Sequence, residues 1–376
     1  MVVLIVGAGL SGATIAEHYA RHNIKSIVID KRSHIAGNVY DECIKDIRVN
    51  KYGPHLFHTN DIGVWQYIQQ FANWKRWDHT VLADISGSYV PVPVNITTVN
   101  TICNTNIQTT EEMKEWLENT QYKGEINNSK DIALSRVGND LYEKLFRPYT
   151  IKQWGKEPDL LDSSVLARIP VRYDFDNRYF TDKYQALPEK GYTDMVQNML
   201  NHPLIEVRLN YSWETAKDEI KWDELIFTGP IDSYFNNSEL PKLEYRSLNF
   251  EWNVLEQEGY YQPVAQVNFP RLDVPYTRCI EYKHFLHQKS KYTVICKETS
   301  SSIGEPYYPV PSKTNQDLYN KYKEFTIKEE NVHFIGRLAT YKYFNMDQAI
   351  RNAMDYFNNV LKPSIKKLPT EIVSLI

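Results

Sequence analysis

The chain opens with an apolar run, Val2-Val3-Leu4-Ile5-Val6, that passes directly into Gly7-Ala8-Gly9-Leu10-Ser11-Gly12. A helical stretch follows from Ala13 to Arg21, then a second apolar strand, Ser26-Ile27-Val28-Ile29, ending at Asp30. The order strand, glycine turn, helix, strand, acid predicts a βαβ unit with parallel strands. Each part has a job in holding a dinucleotide. Gly7 permits the tight turn, Gly9 leaves room for a pyrophosphate against the backbone, and Gly12 lets helix and strand pack closely. The helix start aims free N–H groups at the anion, and Asp30 stands where a carboxylate grips ribose hydroxyls. The bland alternative is a glycine turn that only packs.

At 376 residues the chain has room for two or three domains and a large core. A formal net charge of -4 provides no strong field for nucleic acid or a membrane surface. The 27 Tyr and 8 Trp often stand beside Arg, Asn and Pro, a setting that suits walls stacking on sugars or bases. They are equally compatible with a Tyr-rich composition of no special meaning. Cys43, Cys103, Cys279 and Cys296 are widely spaced and suggest no metal site. No apolar run reaches the length of a membrane span. The N-terminal apolar run follows no basic segment, so it reads as a strand rather than a signal peptide, and a cytoplasmic protein is expected.

Past Asp30 comes a polar glycine loop, Lys31-Arg32-Ser33-His34-Ile35-Ala36-Gly37-Asn38. Nicotinamide dehydrogenases need no such loop, whereas flavoproteins of the glutathione-reductase type place one against the FAD pyrophosphate. This shifts the expected cofactor from NAD to FAD. In Lys51-Tyr52-Gly53-Pro54-His55-Leu56-Phe57-His58-Thr59 the Gly-Pro pair forces a turn. His55 then either meets a flavin ring or caps its own loop through a backbone hydrogen bond. Prolines 91 and 93 mark an edge strand, and amphipathic pieces at Glu111–Leu117 and Asp140–Phe146 mark a helical insertion. Ala265-Gln266-Val267-Asn268-Phe269 alternates like a strand. Val332–Arg337 reads as a last strand and turn, with a helix from about Asp347 to Val360.

The glycine fingerprint and the two following loops are joined, in order, by Tyr149–Gly155, Arg168–Arg172, Thr228–Asp232, Leu243–Leu248, Val274–Arg278, Glu305–Pro309 and Gly336–Leu338. This series resembles the UDP-galactopyranose mutases of the bacterial type, from the N-terminus to about residue 360. The resemblance implies an α/β architecture: a Rossmann-like FAD-binding domain with an inserted helical bundle and an antiparallel β-sheet domain. The expected divisions are FAD domain 1–80, sheet strands 81–95, helical domain 96–165, lid and sheet 166–190, FAD domain 191–243, antiparallel sheet 244–311 and FAD domain 312–376. It further implies interconversion of UDP-galactopyranose and UDP-galactofuranose without net redox change. In that scheme reduced FAD attacks the anomeric carbon through N5, UDP leaves, and galactofuranose is supplied for surface glycans. NAD(P)H or another reductant visits transiently, and a homodimer is expected.

By position in these motifs, the resemblance assigns Arg168, Arg278 and His55 to catalysis, with the two arginines clamping the diphosphate and Arg168 on a mobile lid. Tyr179, Tyr308 and Tyr343 contact diphosphate and sugar, and His79 and Asn268 lie on the sugar side. Phe146, Tyr149, Thr150 and Trp154 wall the uridine pocket. Gly7, Gly9, Ser11, Gly12, Asp30, Lys31, Gly37, Asn38, His55, Leu56, Gly229, Arg337, Asn345, Met346 and Gln348 hold the cofactor. There are departures: Ala36 replaces a usual glycine, Pro54 a small residue, His79 an asparagine and Asn345 an aspartate. They bear on which UDP-sugar is preferred more than on the reaction class. The rival reading is an FAD-dependent oxidoreductase of the amine-oxidase type on the same fold.

Overall fold

The computed structural model describes residues 1–365. The tail of the expected C-terminal division, 366–376, lies outside the described residues. The strands Ile205–Leu209, Lys25–Asp30, Val2–Val6, Glu224–Phe227 and Val332–Phe334 form, in that order, a five-stranded sheet that is parallel throughout. Val3, Leu4, Ile5, Val28, Leu225 and Ile226 are fully buried, as continuous apolar strands covered on both faces must be. Helix Leu10–Arg21 packs with Tyr192–Leu200 and Met346–Tyr356 on one side. Ala216 of the helix Trp213–Glu219 covers the other, against Leu4 and Leu225.

A second sheet has seven strands in the order Tyr308–Pro309, Tyr245–Glu256, Tyr292–Ser301, Arg278–Glu281, Gln266–Asn268, Val81–Ile85 and Ser88–Pro91. It is antiparallel except where Gln266–Asn268 runs parallel to Val81–Ala83. The proline-bearing strand is at the edge, where a missing N–H costs no ladder bond. The strand expected within 166–190 does not join this sheet. Tyr184–Pro188 is instead the centre of a separate three-stranded sheet between Phe57–Thr59 and Trp74–Arg76. Its Leu187 is buried in the main hydrophobic cluster beside Tyr192 and Met195.

The helices Ile96–Cys103, Thr110–Thr120 and Ser129–Leu141 bury Val99, Met113 and Val137 against Val81 and Val90 of the large sheet, and Arg147–Trp154 completes the layer. The amphipathic piece expected at Asp140–Phe146 is no plain α-helix: Gly138 breaks the run at φ +74°, and Tyr142–Phe146 forms a wide π-helical turn. Such turns re-aim the side chains that follow, here Phe146 and Tyr149. The parallel sheet, the seven-stranded sheet and this helical layer enclose two adjoining cavities.

Candidate functional site: two cavities that meet at a histidine loop

The first cavity, of about 780 Å³, opens at the carboxyl ends of the parallel strands. Six glycines lie in its wall. Gly7 has φ +109°, and a Cβ there would sit 2.1 Å from Thr228 Oγ1, so the turn admits only glycine. A Cβ on Gly12 would meet the Gly7 carbonyl oxygen at 1.9 Å; this residue lies beneath the turn and does not line the cavity. Gly9 is different. A Cβ there would touch nothing closer than Gly37 Cα at 3.7 Å, so the chain itself tolerates a side chain. What a side chain at Gly9 would obstruct is the space in front of the helix N-terminus, where an anion fits.

Ser11, Lys31, Gly37, Asn38, His55, Gly229, Arg337, Asn345 and Met346 line the same cavity. Asp30 does too, while its oxygens accept Ala8 N–H at 3.0 Å and Arg32 N–H at 2.9 Å, which ties the two loops together. Lys31 Nζ is engaged at 2.8 Å by Glu305, across the cavity mouth. Ala36 sits at φ +71°, so the departure from glycine falls on a left-handed residue and carries a strain of about 1 kcal/mol. Leu56 is not part of the wall, and Gln348 faces the second cavity instead. Sequence reasoning missed Tyr211, Trp213 and Ser233 in the wall, because nothing in their local pattern distinguishes them from packing residues.

The second cavity, of about 950 Å³, has no glycine among its lining residues. Phe146, Tyr149, Thr150 and Trp154 of the helical layer face Arg168, Tyr179, Asn268, Arg278, Tyr308 and Tyr343. Arg278 Nε donates to Glu298 at 2.6 Å. Burial opposes the charge on Arg278, but the Glu298 carboxylate overrides it and keeps the guanidinium protonated. Glu298 is wholly buried and its Oε1 has no partner, so this unanticipated residue acts as the counter-ion that aims Arg278. The strand Tyr292–Ser301 is the one sequence signal that could have pointed to Glu298, which it carries to a buried position.

The guanidinium of Arg168 lies 4.0 Å from the ring centre of Tyr343 and is exposed. Its segment is pinned by buried Leu161, Leu166 and Ile169, so the expected lid is anchored on both sides of an accessible arginine. His79 is buried at 2% exposure and lies behind the cavity rather than on its surface.

The cavities meet where Arg337, in the wall of the first, crosses the rings of Tyr308 and Tyr343, in the wall of the second, at 5.6 and 5.1 Å. His55 stands at this junction: it lines the first cavity, and its Nδ1–H donates to Gly53 O at 2.8 Å, which is the backbone bond expected of a loop-capping histidine. Burial, with help from Arg337 and Arg278, brings its pKa down to about 4. The ring is therefore neutral near pH 7, with Nδ1 donating and Nε2 left as an acceptor.

A family model described as UDP-galactopyranose mutase matches residues 144–343, and one described as an NAD(P)-binding Rossmann-like domain matches 5–71. A dTDP-fucopyranose mutase of Escherichia coli is 39% identical, covering 94% of this chain and 96% of the relative. A probable UDP-galactopyranose mutase of Klebsiella pneumoniae is 36% identical, covering 94% and 92%. Among solved structures, a reduced UDP-galactopyranose mutase superposes with a TM-score of 0.79 at 14% identity, over 99% of this chain and 96% of that one. A putative protoporphyrinogen oxidase from Exiguobacterium superposes with a TM-score of 0.70 at 14% identity, over 96% and 99%. At such identities the structural likeness speaks for the fold alone.

Proposed function

Because the chain belongs to the UDP-galactopyranose mutase family, and is thus an isomerase, we propose that it interconverts the pyranose and furanose forms of a nucleoside-diphosphate hexose, UDP-galactose in the first place, with FAD in the first cavity. The observation that carries this is the junction of a glycine-lined cavity at the ends of the parallel strands with a second cavity bearing two arginines and a wall of aromatic rings. The space kept clear at Gly9, the neutral His55 and Arg337 all suit a flavin dinucleotide. When bound and reduced, FAD supplies the nucleophilic nitrogen.

The protein's part is orientation and charge. Tyr149, Trp154 and Phe146 give the base a stacking face, and Thr150 offers a hydroxyl beside it. Arg278 and Arg168 take the diphosphate from two elements, and their fixed positive charge stabilises the anion that forms as the bond to the sugar breaks. The hydroxyls of Tyr179, Tyr308 and Tyr343, with the Asn268 amide, surround the sugar end. Cytoplasmic location, a homodimer and NAD(P)H as transient reductant belong to the same proposal. Among the described residues no helix is long and apolar enough to cross a membrane.

A second reading of the substrate, a dTDP-6-deoxyhexose, is favoured by the 39% identity to a dTDP-fucopyranose mutase. The test is nucleotide chromatography of purified yellow protein with UDP-galactose or the dTDP-sugar, with and without dithionite. A new nucleotide-hexose peak seen only under reduction is expected. No new peak with either sugar, together with oxidation of an amine or alcohol, would move the protein to the oxidoreductase reading.

A further inference from the structure

The floor of the second cavity carries two hydrogen bonds, Trp77 to His79 and Gln266 to Asn268, with the His79 ring and the Gln266 amide as neighbours between them, and the series starts outside the cavity wall. The indole N–H of Trp77 donates to Nδ1 of His79 at 3.4 Å. An indole can only donate, so Nδ1 must accept, and the proton of a neutral imidazole is left on Nε2. The ring is neutral: it is buried among Tyr179, Phe180 and Phe285, with Arg278 and His58 further opposing a positive charge. Nε2 is itself buried, lacks a partner within hydrogen-bond distance, and has the Gln266 side chain as its polar neighbour. Gln266 Nε2 donates to Asn268 Oδ1 at 2.9 Å. Two apart on one strand, Gln266 and Asn268 share a face, and both line the cavity.

We propose that His79 is a positioning residue for the sugar: its Nε2–H holds the Gln266 amide with Oε1 toward the imidazole, and Gln266 in turn holds Asn268 with its Nδ2 donors presented to the cavity. The opposite Gln266 orientation would set donor against donor at His79. It would also turn Asn268 Oδ1 toward the substrate. Side-chain amide orientation is decided by the surrounding network, and here the network is anchored by a group that can only donate. The consequence is a specific form of recognition: Asn268 reads a hexose oxygen as an acceptor.

The inference rests on the reading of this cavity as a sugar-nucleotide site. Calorimetry on flavin-loaded protein separates the two. The probes are UDP-galactopyranose and UDP, and the corresponding thymidine pair. Wild-type protein that binds neither pair overturns the site reading and this inference with it. If a pair binds, His79→Phe is expected to weaken the sugar nucleotide about tenfold while leaving the free diphosphate within about twofold. His79→Asn should restore most of the loss, because Trp77 would take the new Oδ1 and leave an N–H for Gln266. Equal weakening of both ligands, no weakening of either, or failure of His79→Asn to rescue would overturn the assignment. Should His79→Phe fail to fold, Gln266→Glu replaces it. That acceptor-only carboxylate draws the Asn268 donors to itself, so the same selective loss is expected, and its absence counts against the inference.

Discussion

The cofactor-side cavity has six glycines in its wall, whereas the residues that line the substrate-side cavity include none. In the first, Gly7, Gly9, Gly37 and Gly336 bring main-chain atoms to the surface, and most of them lie within the first βαβ unit or a strand end. In the second, Tyr149, Arg168, Tyr179, Asn268, Arg278 and Tyr343 come from separate segments spread between residues 149 and 343. A backbone-built site depends on conformations that few residues adopt, so a local substitution removes it outright. A side-chain-built site depends on aim, so its losses are graded.

The sharpest way to break this contrast is Gly9→Val. The protein around Gly9 has space for a Cβ, so the chain should fold and purify colourless, with no flavin absorbance and no turnover. A yellow variant would contradict the assignment of the space in front of Gly9 to the cofactor. On the substrate side, Arg278→Met combined with Glu298→Gln removes the buried pair together and avoids leaving Glu298 unpaired, which would cost about 3–5 kcal/mol of stability. Turnover should fall by about a thousandfold with flavin retained. Arg168→Ala, at an exposed position, should cost turnover about a hundredfold and stability less than about 0.5 kcal/mol. Comparable loss of flavin in either of the two arginine variants would mean that the cavities are not separate in their construction.

The same contrast explains what could be read from the sequence. The glycine turn, Asp30 and the glycine loop after it are contiguous, so their spacing alone carried the parallel sheet and the dinucleotide cavity. The substrate residues share no local pattern; Arg168 and Arg278 were legible through resemblance and not through periodicity. Glu298 and Gln266 were missed although strand alternation puts both on an inner face, because a buried polar residue is indistinguishable by spacing from an apolar one. The π-helical turn at Tyr142–Phe146 was missed because its composition is that of an ordinary amphipathic helix.

A smaller effect bears on the junction and the floor. Burial holds the folded-state pKa of His55 at about 4 and of His79 at about 3, below the unfolded value of 6.5. Between those limits the unfolded chain binds protons that the folded chain does not, so stability falls as pH drops below 6.5. Each histidine contributes up to about 1.4 kcal/mol per pH unit within its window. Denaturant titrations at pH 7 and pH 5 should show a smaller acid loss in His79→Phe than in wild type; identical losses would contradict the neutral buried ring. The smallest expected effect is at Ala36. Relief of its left-handed strain in Ala36→Gly, set against the entropy of glycine, should raise stability by about 0.5 kcal/mol in the same titrations.

The most direct measurement uses UDP-galactose with ¹⁸O in the oxygen that bridges the anomeric carbon and the β-phosphorus, incubated with dithionite-reduced protein. If the arginine-lined cavity holds a departing diphosphate next to the flavin, the label should scramble into the non-bridging β-phosphate oxygens as the sugar returns, and scrambling should vanish in the oxidised protein. Label that stays in the bridge while furanose nevertheless forms would contradict the account, since the bond that the two arginines are placed to help break would have remained intact.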